Sequence, residues 1–578
     1  MIENTEDLDL DNPEFKDVED LLKYSKRSVY LTGKAGTGKS TYLRYIANNT
    51  KKRYIIVAPT AIAAINAGGV TINSFFQFSN GPFIWDLFTD AQRNDFYSFR
   101  QEKIDLIKEL DLIIIDEISM VRSDIVDAID FRLRHFGGKK HLPFGGKQVL
   151  FVGDAFQLEP VAKDGEWDIL KNRYTTPYFF GAKVFKEVNF IGIELLKVFR
   201  QTDEIFISIL NKIRVRDAKY NDLELLNRNF FPNFNPLNEP GLITLTTKRN
   251  VVDFINNKRL IELPGISHKF EGTLEGTFGD YEDTLPTNKL LELKKGAQVM
   301  FVKNDKEKKW VNGTIGEIES VDEAAIYVKL KNGDIHFIAK ETWNKITYEL
   351  NKSTGKIERK IIGSFTQYPL KLAWAATIHK SQGLTFDNVI IDMSAGAFAA
   401  GHTYVALSRC KTLDGIKLIA PIKLSDIIVS DEVLAFNLTV NNKTEIYDAT
   451  SKGKANYYYW ESLMAFKQGD YSEAYESLLK AFEIRDDSKK PVFKRFLSFL
   501  FLKQKNKKDI DLEYKILDLN DWIKHLNKSI EEKDKKISEQ SKMLIDFKTF
   551  DRKISQQEKE IDKLNIKLDD KLNKIVEL

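Results

Sequence analysis

Apolar residues follow two rhythms along this chain. In the N-terminal part they form unbroken blocks that run into a small or polar residue: Val29-Tyr30-Leu31 before Thr32, Ile55-Ile56-Val57-Ala58 before Pro59-Thr60, Leu112-Ile113-Ile114-Ile115 before Asp116-Glu117, and Val149-Leu150-Phe151-Val152 before Gly153-Asp154. Such blocks predict strands buried on both faces, as in a parallel sheet covered by helices. Helices are predicted over residues 15–23 and 40–46. A similar rhythm resumes after residue 188, with strands over 190–196, 242–247 and 389–393, a helix over 252–260, a helix running into a polar turn over 373–383, and a helix over 404–410. Between 296 and 360 the rhythm changes to short alternating runs such as Gln298-Val299-Met300-Phe301-Val302, with turns marked by Asn312-Gly313 and Asn332-Gly333; this predicts a small inserted β-barrel.

The resulting division is a first α/β domain over 1–188, with a polar, aromatic-rich insertion at about 77–105, and a second over 189–295 and 361–430. The barrel occupies 296–360, a polar linker 431–455, a helical hairpin 456–505 and a helical tail 506–578. The hairpin, with small residues where its helices cross, is similar to one tetratricopeptide unit. In the tail, Phe547, Ile554, Ile561, Leu568 and Ile575 recur every seven residues, followed three later by Phe550, Gln557, Leu564, Lys571 and Leu578. That spacing predicts about four heptads of coiled coil with polar residues in the seam. Residues 456–578 are therefore expected to serve a protein partner or self-association.

Composition narrows the class. The 578 residues are 43% hydrophobic and 30% charged, enough for about three or four globular domains. Lys+Arg 87 against Asp+Glu 84 leaves a net charge of +3, so nucleic-acid binding has to come from a local groove rather than a global basic field. The single cysteine, Cys410, excludes an internal disulfide and a cysteine-based zinc site. An acidic N-terminus without an apolar core, and no apolar run near the ~20 residues of a membrane span, lead to the expectation of a soluble, cytoplasmic protein with no membrane partner.

The chemistry centres on Gly33-Lys34-Ala35-Gly36-Thr37-Gly38-Lys39-Ser40, a phosphate-binding loop between a predicted strand and helix. Its backbone N–H groups and the new helix's N-terminus favour an anion, Lys39 reaches the β- and γ-phosphates, and Ser40 is placed for Mg²⁺. Asp116 and Glu117, at the end of a buried strand, suit a water-mediated magnesium contact and a general base. Gln157, beyond the next strand, is placed to touch the γ-phosphate; the plain alternative is a surface amide. The second α/β region has no phosphate loop and is expected to supply charge in trans. The loop from Lys303 to Trp310 mixes charge with one aromatic and reads either as a grip on nucleic acid or as a solvated hairpin tip.

Taken together, Gly33 to Ser40, Ala58-Pro59-Thr60 with Ser74-Phe75-Phe76, Asp116-Glu117-Ile118-Ser119-Met120, Gly153-Asp154 with Gln157-Leu158, Phe199-Arg200-Gln201, Val311 to Gly316, Thr377 to Gly383 and Tyr404 to Arg409 resemble the PIF-type (petite integration frequency) DNA helicases of superfamily one. The resemblance covers roughly residues 28–425. It implies tandem RecA-like domains with ATP and Mg²⁺ between them, single-stranded DNA and its junctions with duplex as partner, and 5′ to 3′ translocation. With the motif readings it makes Lys39, Asp116, Glu117, Gln157, Arg200 and Arg409 catalytic, the two arginines being donated by the second domain. Gly33, Lys34, Ala35, Gly36, Thr37, Gly38, Lys39, Ser40, Thr41, Gln382 and Gly383 would bind nucleotide, Ser40 and Asp116 the metal, and Pro59, Thr60, Ser74, Phe75, His379, Lys380 and Ser381 the DNA. The family's Leu-Asn-x-Glu-Gln, whose glutamine reads adenine, is missing, and Asn73 and Glu159 stand where histidine and proline are usual. A competing expectation is a scaffold ATPase, indifferent to DNA, that recruits partners through the coiled coil.

Overall fold

The computed structural model describes residues 12–485, apart from 79–80, 163–164, 189, 202, 232–240, 279–284 and 324. The predicted coiled coil and the hairpin expectation beyond residue 485 lie outside the described residues.

The unbroken apolar blocks form a six-stranded parallel sheet in the order Val70–Thr71, Tyr54–Ala58, Leu112–Ile115, Gln148–Val152, Val29–Gly33, Ile191–Leu195. The three central blocks are buried along their whole length, as a sheet covered on both faces requires. Ile191–Leu195 pairs in parallel with Val29–Gly33, so this strand closes the first sheet instead of opening the second domain. Its apolar run gives no sign of which neighbour it will choose.

A second parallel sheet runs Ala375–Thr377, Ile243–Thr246, Val389–Asp392, Ile416–Leu418. Ala375–Thr377 was expected to be helical. Pairing with Ile243–Thr246 over Ala375↔Thr244 to Thr377↔Thr246 overrides the helix-favouring alanines. Between these strands lies an insertion whose own strands run from His268–Glu271 to Leu370–Leu372, wider than residues 296–360. Its core is a five-stranded antiparallel sheet whose ladder ends at Ile335–Ile338 and Leu370–Leu372. The two-stranded ribbon of His268–Glu271 and Leu290–Leu293 shares that core through Phe270, Leu291 and Leu293. A long hairpin, Glu341–Asn351 with Lys356–Gln367, leaves this sheet and reaches the first domain, where Tyr348 accepts a hydrogen bond from the Ile56 N–H (3.0 Å).

The stretch expected to be a linker is helical, as Asp431–Asn437 and the start of Lys443–Gln468. Apolar residues spaced through it explain why: Phe436 stacks on Phe180 (4.2 Å between centroids), Val440 covers Gly192, and Ile446 joins the core cluster that holds Val29 and Leu31. The helix Lys443–Gln468 then packs against Pro13–Tyr24 and pairs with Tyr471–Ile484.

Candidate active site

The phosphate loop links Val29–Gly33 to the helix Lys39–Asn49. Gly38 caps that helix in the left-handed region (φ 83°), which a residue with a Cβ rarely adopts. Gly36 also has φ 80°, and a Cβ there would stand 2.3 Å from Cβ of Arg200, so a side chain at 36 would expel Arg200 from the loop. Lys39 donates from Nζ to the loop's own carbonyls at Gly33 (2.6 Å) and Lys34 (3.1 Å). Burial lowers its pKa, while Asp154 and Glu117 favour its charge. An anion placed on the loop would offer this half-buried lysine's ammonium a better partner than two carbonyls.

Asp116 follows the buried strand Leu112–Ile115, and its Oδ1 accepts from the Glu117 N–H (2.9 Å). Burial and the charge of Glu117 push the Asp116 carboxyl well above the ordinary carboxylate range, and burial raises Glu117 too. Glu117 has φ 50°, a strained conformation for a non-glycine residue that costs about 1–3 kcal/mol and turns its carboxylate into the cleft. Asp116 is buried, Glu117 half-buried and Ser40 exposed, and neighbouring carboxylate and hydroxyl oxygens of this kind are donor chemistry that suits a divalent cation.

The two sheets meet at this point. Gln382, in the turn after Ala375–Thr377, donates from Nε2 to Glu117 Oε2 (2.9 Å) and Gln157 Oε1 (3.3 Å). Its own Oε1 is buried without a partner among the described residues. Gln157 is 7% exposed, so the surface-amide alternative does not describe it. Tyr404, which sequence reasoning left without a role, accepts from the Ala35 N–H (2.8 Å) through its hydroxyl; no local pattern signals a contact across 369 residues.

The two arginines differ. Arg200 lies on the chain leaving Ile191–Leu195, beside Phe199, whose N–H donates to Gly36 O (2.8 Å). It is therefore delivered from the first sheet's connector rather than from an element of the second sheet. It is half-buried, with long contacts to Ser408 O (3.4 Å) and Gly383 O (3.5 Å). Arg409 is fully buried and donates to Val405 O (2.9 Å), Ser408 Oγ (2.8 Å), and Ser381 O and Leu384 O (both 3.4 Å), while its charge favours ionised Glu117.

The expected DNA residues do not form one open path. Ser74 and Lys380 are exposed, and Pro59, Thr60 and His379 are half-buried. Phe75 is only 2% exposed, beneath Lys103 (Nζ 3.2 Å from its ring centroid) and beside Tyr348. Ser381 is fully buried and donates to Ile378 O (2.8 Å). The Trp310 ring stacks on Phe301 at 4.4 Å, so the aromatic of the 303–310 loop packs on the inserted sheet.

The family model described as "PIF1-like helicase" matches residues 13–219. The chain is 33% identical to the ATP-dependent DNA helicase PIF1 of Xenopus laevis, over 68% of this chain and 59% of the relative; it thus spans about three-fifths of the length of that protein. It is 31% identical to the ATP-dependent DNA helicase Pif1 of Campylobacter jejuni, over 71% of this chain and 92% of the relative. The crystal structure of Bacteroides sp Pif1 in complex with ADP-AlF4 superposes with a TM-score of 0.68 at 38% identity, over 75% of this chain and 97% of that one. The crystal structure of Pif1 helicase from Bacteroides in complex with ADP-AlF3 and ssDNA matches with a TM-score of 0.53 at 39% identity, over 74% of this chain and 96% of that one. Among the described residues no helix is long and apolar enough to cross a membrane. With two RecA-like parallel sheets, a phosphate loop at the end of a central strand and these relatives, the chain belongs to the PIF1 helicase family.

Proposed function

We propose that this protein is an ATP-dependent DNA helicase of the cell interior that moves 5′ to 3′ on single-stranded DNA and unwinds duplex at its junctions. One observation carries the reading most directly: Gln382 of the second sheet bonds both Glu117 and Gln157 of the first, so the arrangement of the two sheets sets the geometry of the hydrolytic groups. The phosphate loop and Lys39 would hold the triphosphate, and Asp116 and Ser40 would hold Mg²⁺, which would supply positive charge against that of the phosphates. Glu117 orients the attacking water and takes its proton as ADP and phosphate form. Arg200, already against the loop, meets the charge that develops as the γ-phosphoryl group leaves. Pro59, Thr60, Ser74, His379 and Lys380 are the accessible positions for DNA, and Phe75 joins them only if Lys103 and the Tyr348 hairpin withdraw.

The test is ATP turnover with and without single-stranded DNA, alongside unwinding of a 5′-tailed duplex. Turnover is expected to rise with DNA and to vanish in Lys39→Ala. Glu117→Gln is expected to bind ATP and lose hydrolysis by about 10²–10⁴-fold. Turnover indifferent to DNA would instead select the scaffold ATPase.

A further inference from the structure

Arg214 ends the helix Glu204–Arg214, which packs with the second sheet's helix His402–Leu407, yet its side chain lies buried against the first sheet. Its Nη2 donates to Asp154 Oδ1 (3.1 Å), its Nη1 stands 2.8 Å from Glu194 Oε1, and its guanidinium covers the Phe156 ring at 4.2 Å. Arg214 Nε and Glu194 Oε1 have no hydrogen-bond partner among the described residues, so the Glu194 contact is one of charge. A cation this buried persists only where its carboxylate partners are held in place. None of the phosphate chemistry above uses it.

Asp154 is the hub of what Arg214 touches. Its Oδ1 also accepts from the Phe156 N–H (3.2 Å), its Oδ2 accepts from Gln157 Nε2 (3.4 Å), and its carbonyl accepts from the Gln157 N–H (2.9 Å). Gln157 Oε1 accepts from Gln382 Nε2, which donates to Glu117 as well. A continuous chain thus runs Arg214, Asp154, Gln157, Gln382, Glu117, and it passes between the two sheets' elements three times. Asp154 and Arg214 also act on Lys39 with opposite sign, so removing Arg214 leaves the buried Asp154 carboxylate without its guanidinium partner and shifts the field at the phosphate-binding lysine.

We propose that Arg214 is a positioning residue for ATP hydrolysis: it fixes Asp154, and through Asp154 sets the Gln157 amide at the γ-phosphate, so that turnover requires the helix Glu204–Arg214 to be seated on the first sheet. The inference rests on the ATP-site reading above.

The experiment is a double-mutant cycle in the full chain at saturating single-stranded DNA, with ATP affinity and thermal midpoint measured for each variant. Arg214→Gln is expected to lower kcat about tenfold or more while the Kd for ATP changes less than about threefold. In a Gln157→Ala background the same change should cost less than about twofold, because residues that act as a unit are not additive. Arg214→Lys, which keeps the charge but loses the planar fork, should recover part of the rate. Additive losses, or a loss confined to affinity or thermal midpoint, overturn the proposal. Wild-type turnover in Gln157→Ala also overturns it, since Arg214 then has nothing to act through; Lys39→Ala, inactive in the same assay, shows that the ATP site still stands in that event. If Arg214→Gln does not fold, the cycle is run with Arg214→Lys and judged by the same additivity.

Discussion

The two arginines assigned to the γ-phosphate should fail in different ways when removed. Arg409 spends its donors on Val405, Ser408, Ser381 and Leu384, and so holds the turn that carries Gln382. Arg409→Ala strips several buried carbonyls of a donor and should cost about 2 kcal/mol or more of stability as well as turnover. Arg200→Ala removes only long contacts from a half-buried side chain and should lower kcat while the thermal midpoint barely moves. A calorimetric scan beside the ATPase rate separates them, and an unchanged midpoint in Arg409→Ala would contradict the holding role. His402 gives a pH test at the same scale. It is fully buried, its ring nitrogens lack partners among the described residues, and burial with the nearby His379 pushes its pKa down to about 4. Between the unfolded value near 6.5 and that figure the unfolded chain binds a proton that the native one refuses, so stability falls as pH drops from about 6.5 toward 4. His402→Gln should lose less of its thermal midpoint over that range than the wild type does. Residues were legible where the signal is local: Gly33 to Ser40 and Asp116-Glu117 carry their spacing with them. Tyr404 and Arg214 were not, because their contacts at Ala35 and Asp154 are made by folding and leave no mark on their own neighbours.

Elements were legible where one sheet buries both faces, and less so where the partner decides. Leu112–Ile115 reads as a buried strand from its four apolar residues alone. The run Ala375-Ala376-Thr377 takes its state from the neighbouring strand Ile243–Thr246, and Ile191–Leu195 takes its sheet from Val29–Gly33. The long hairpin from the insertion escaped for a related reason: its Glu341–Asn351 strand mixes polar and apolar positions because part of it covers the first domain. Tyr348 is where that cover is fastened. Tyr348→Phe deletes a hydrogen bond to a buried backbone N–H and should cost about 1–2 kcal/mol. With the hairpin loosened above Phe75, single-stranded DNA should bind at least as tightly as in the wild type. A variant that binds DNA more weakly would mean that the hairpin forms part of the DNA grip instead of covering it.

At the scale of the whole molecule, the helices Lys443–Gln468 and Tyr471–Ile484 cannot be treated as an appendage to the two-sheet core. Arg27 pairs with Glu445 (2.6 Å), Lys443 with Asp17 (3.2 Å) and Lys454 with Asp20, all between Lys443–Gln468 and the N-terminal segment. Such pairs are individually worth little where exposed, but the packing beneath them is tight. A Cβ at Gly453 would stand 1.9 Å from Tyr24 O, so the helix rests on the end of Pro13–Tyr24 at a place where only glycine fits. Ile446 shares a core with Phe15, Val18, Val29 and Leu31, which connects this helix to the strand that carries the phosphate loop. Ending the chain at 450 would keep Ile446 but remove the Gly453 seat and the Lys454 pair, leaving only residues 443–450, about two turns of a 26-residue helix, too short to hold its shape. Ending it at 485 keeps Ser462 Oγ donating to Ala474 O (2.7 Å) and leaves the described fold whole. The 485 truncation is therefore expected to keep DNA-stimulated hydrolysis, while the 450 truncation melts several degrees below it. Gly453→Val in the full chain should reproduce that loss without shortening anything. If the 450 truncation and Gly453→Val both melt with the full-length protein, the contact with Pro13–Tyr24 contributes nothing and the two-sheet core stands without it.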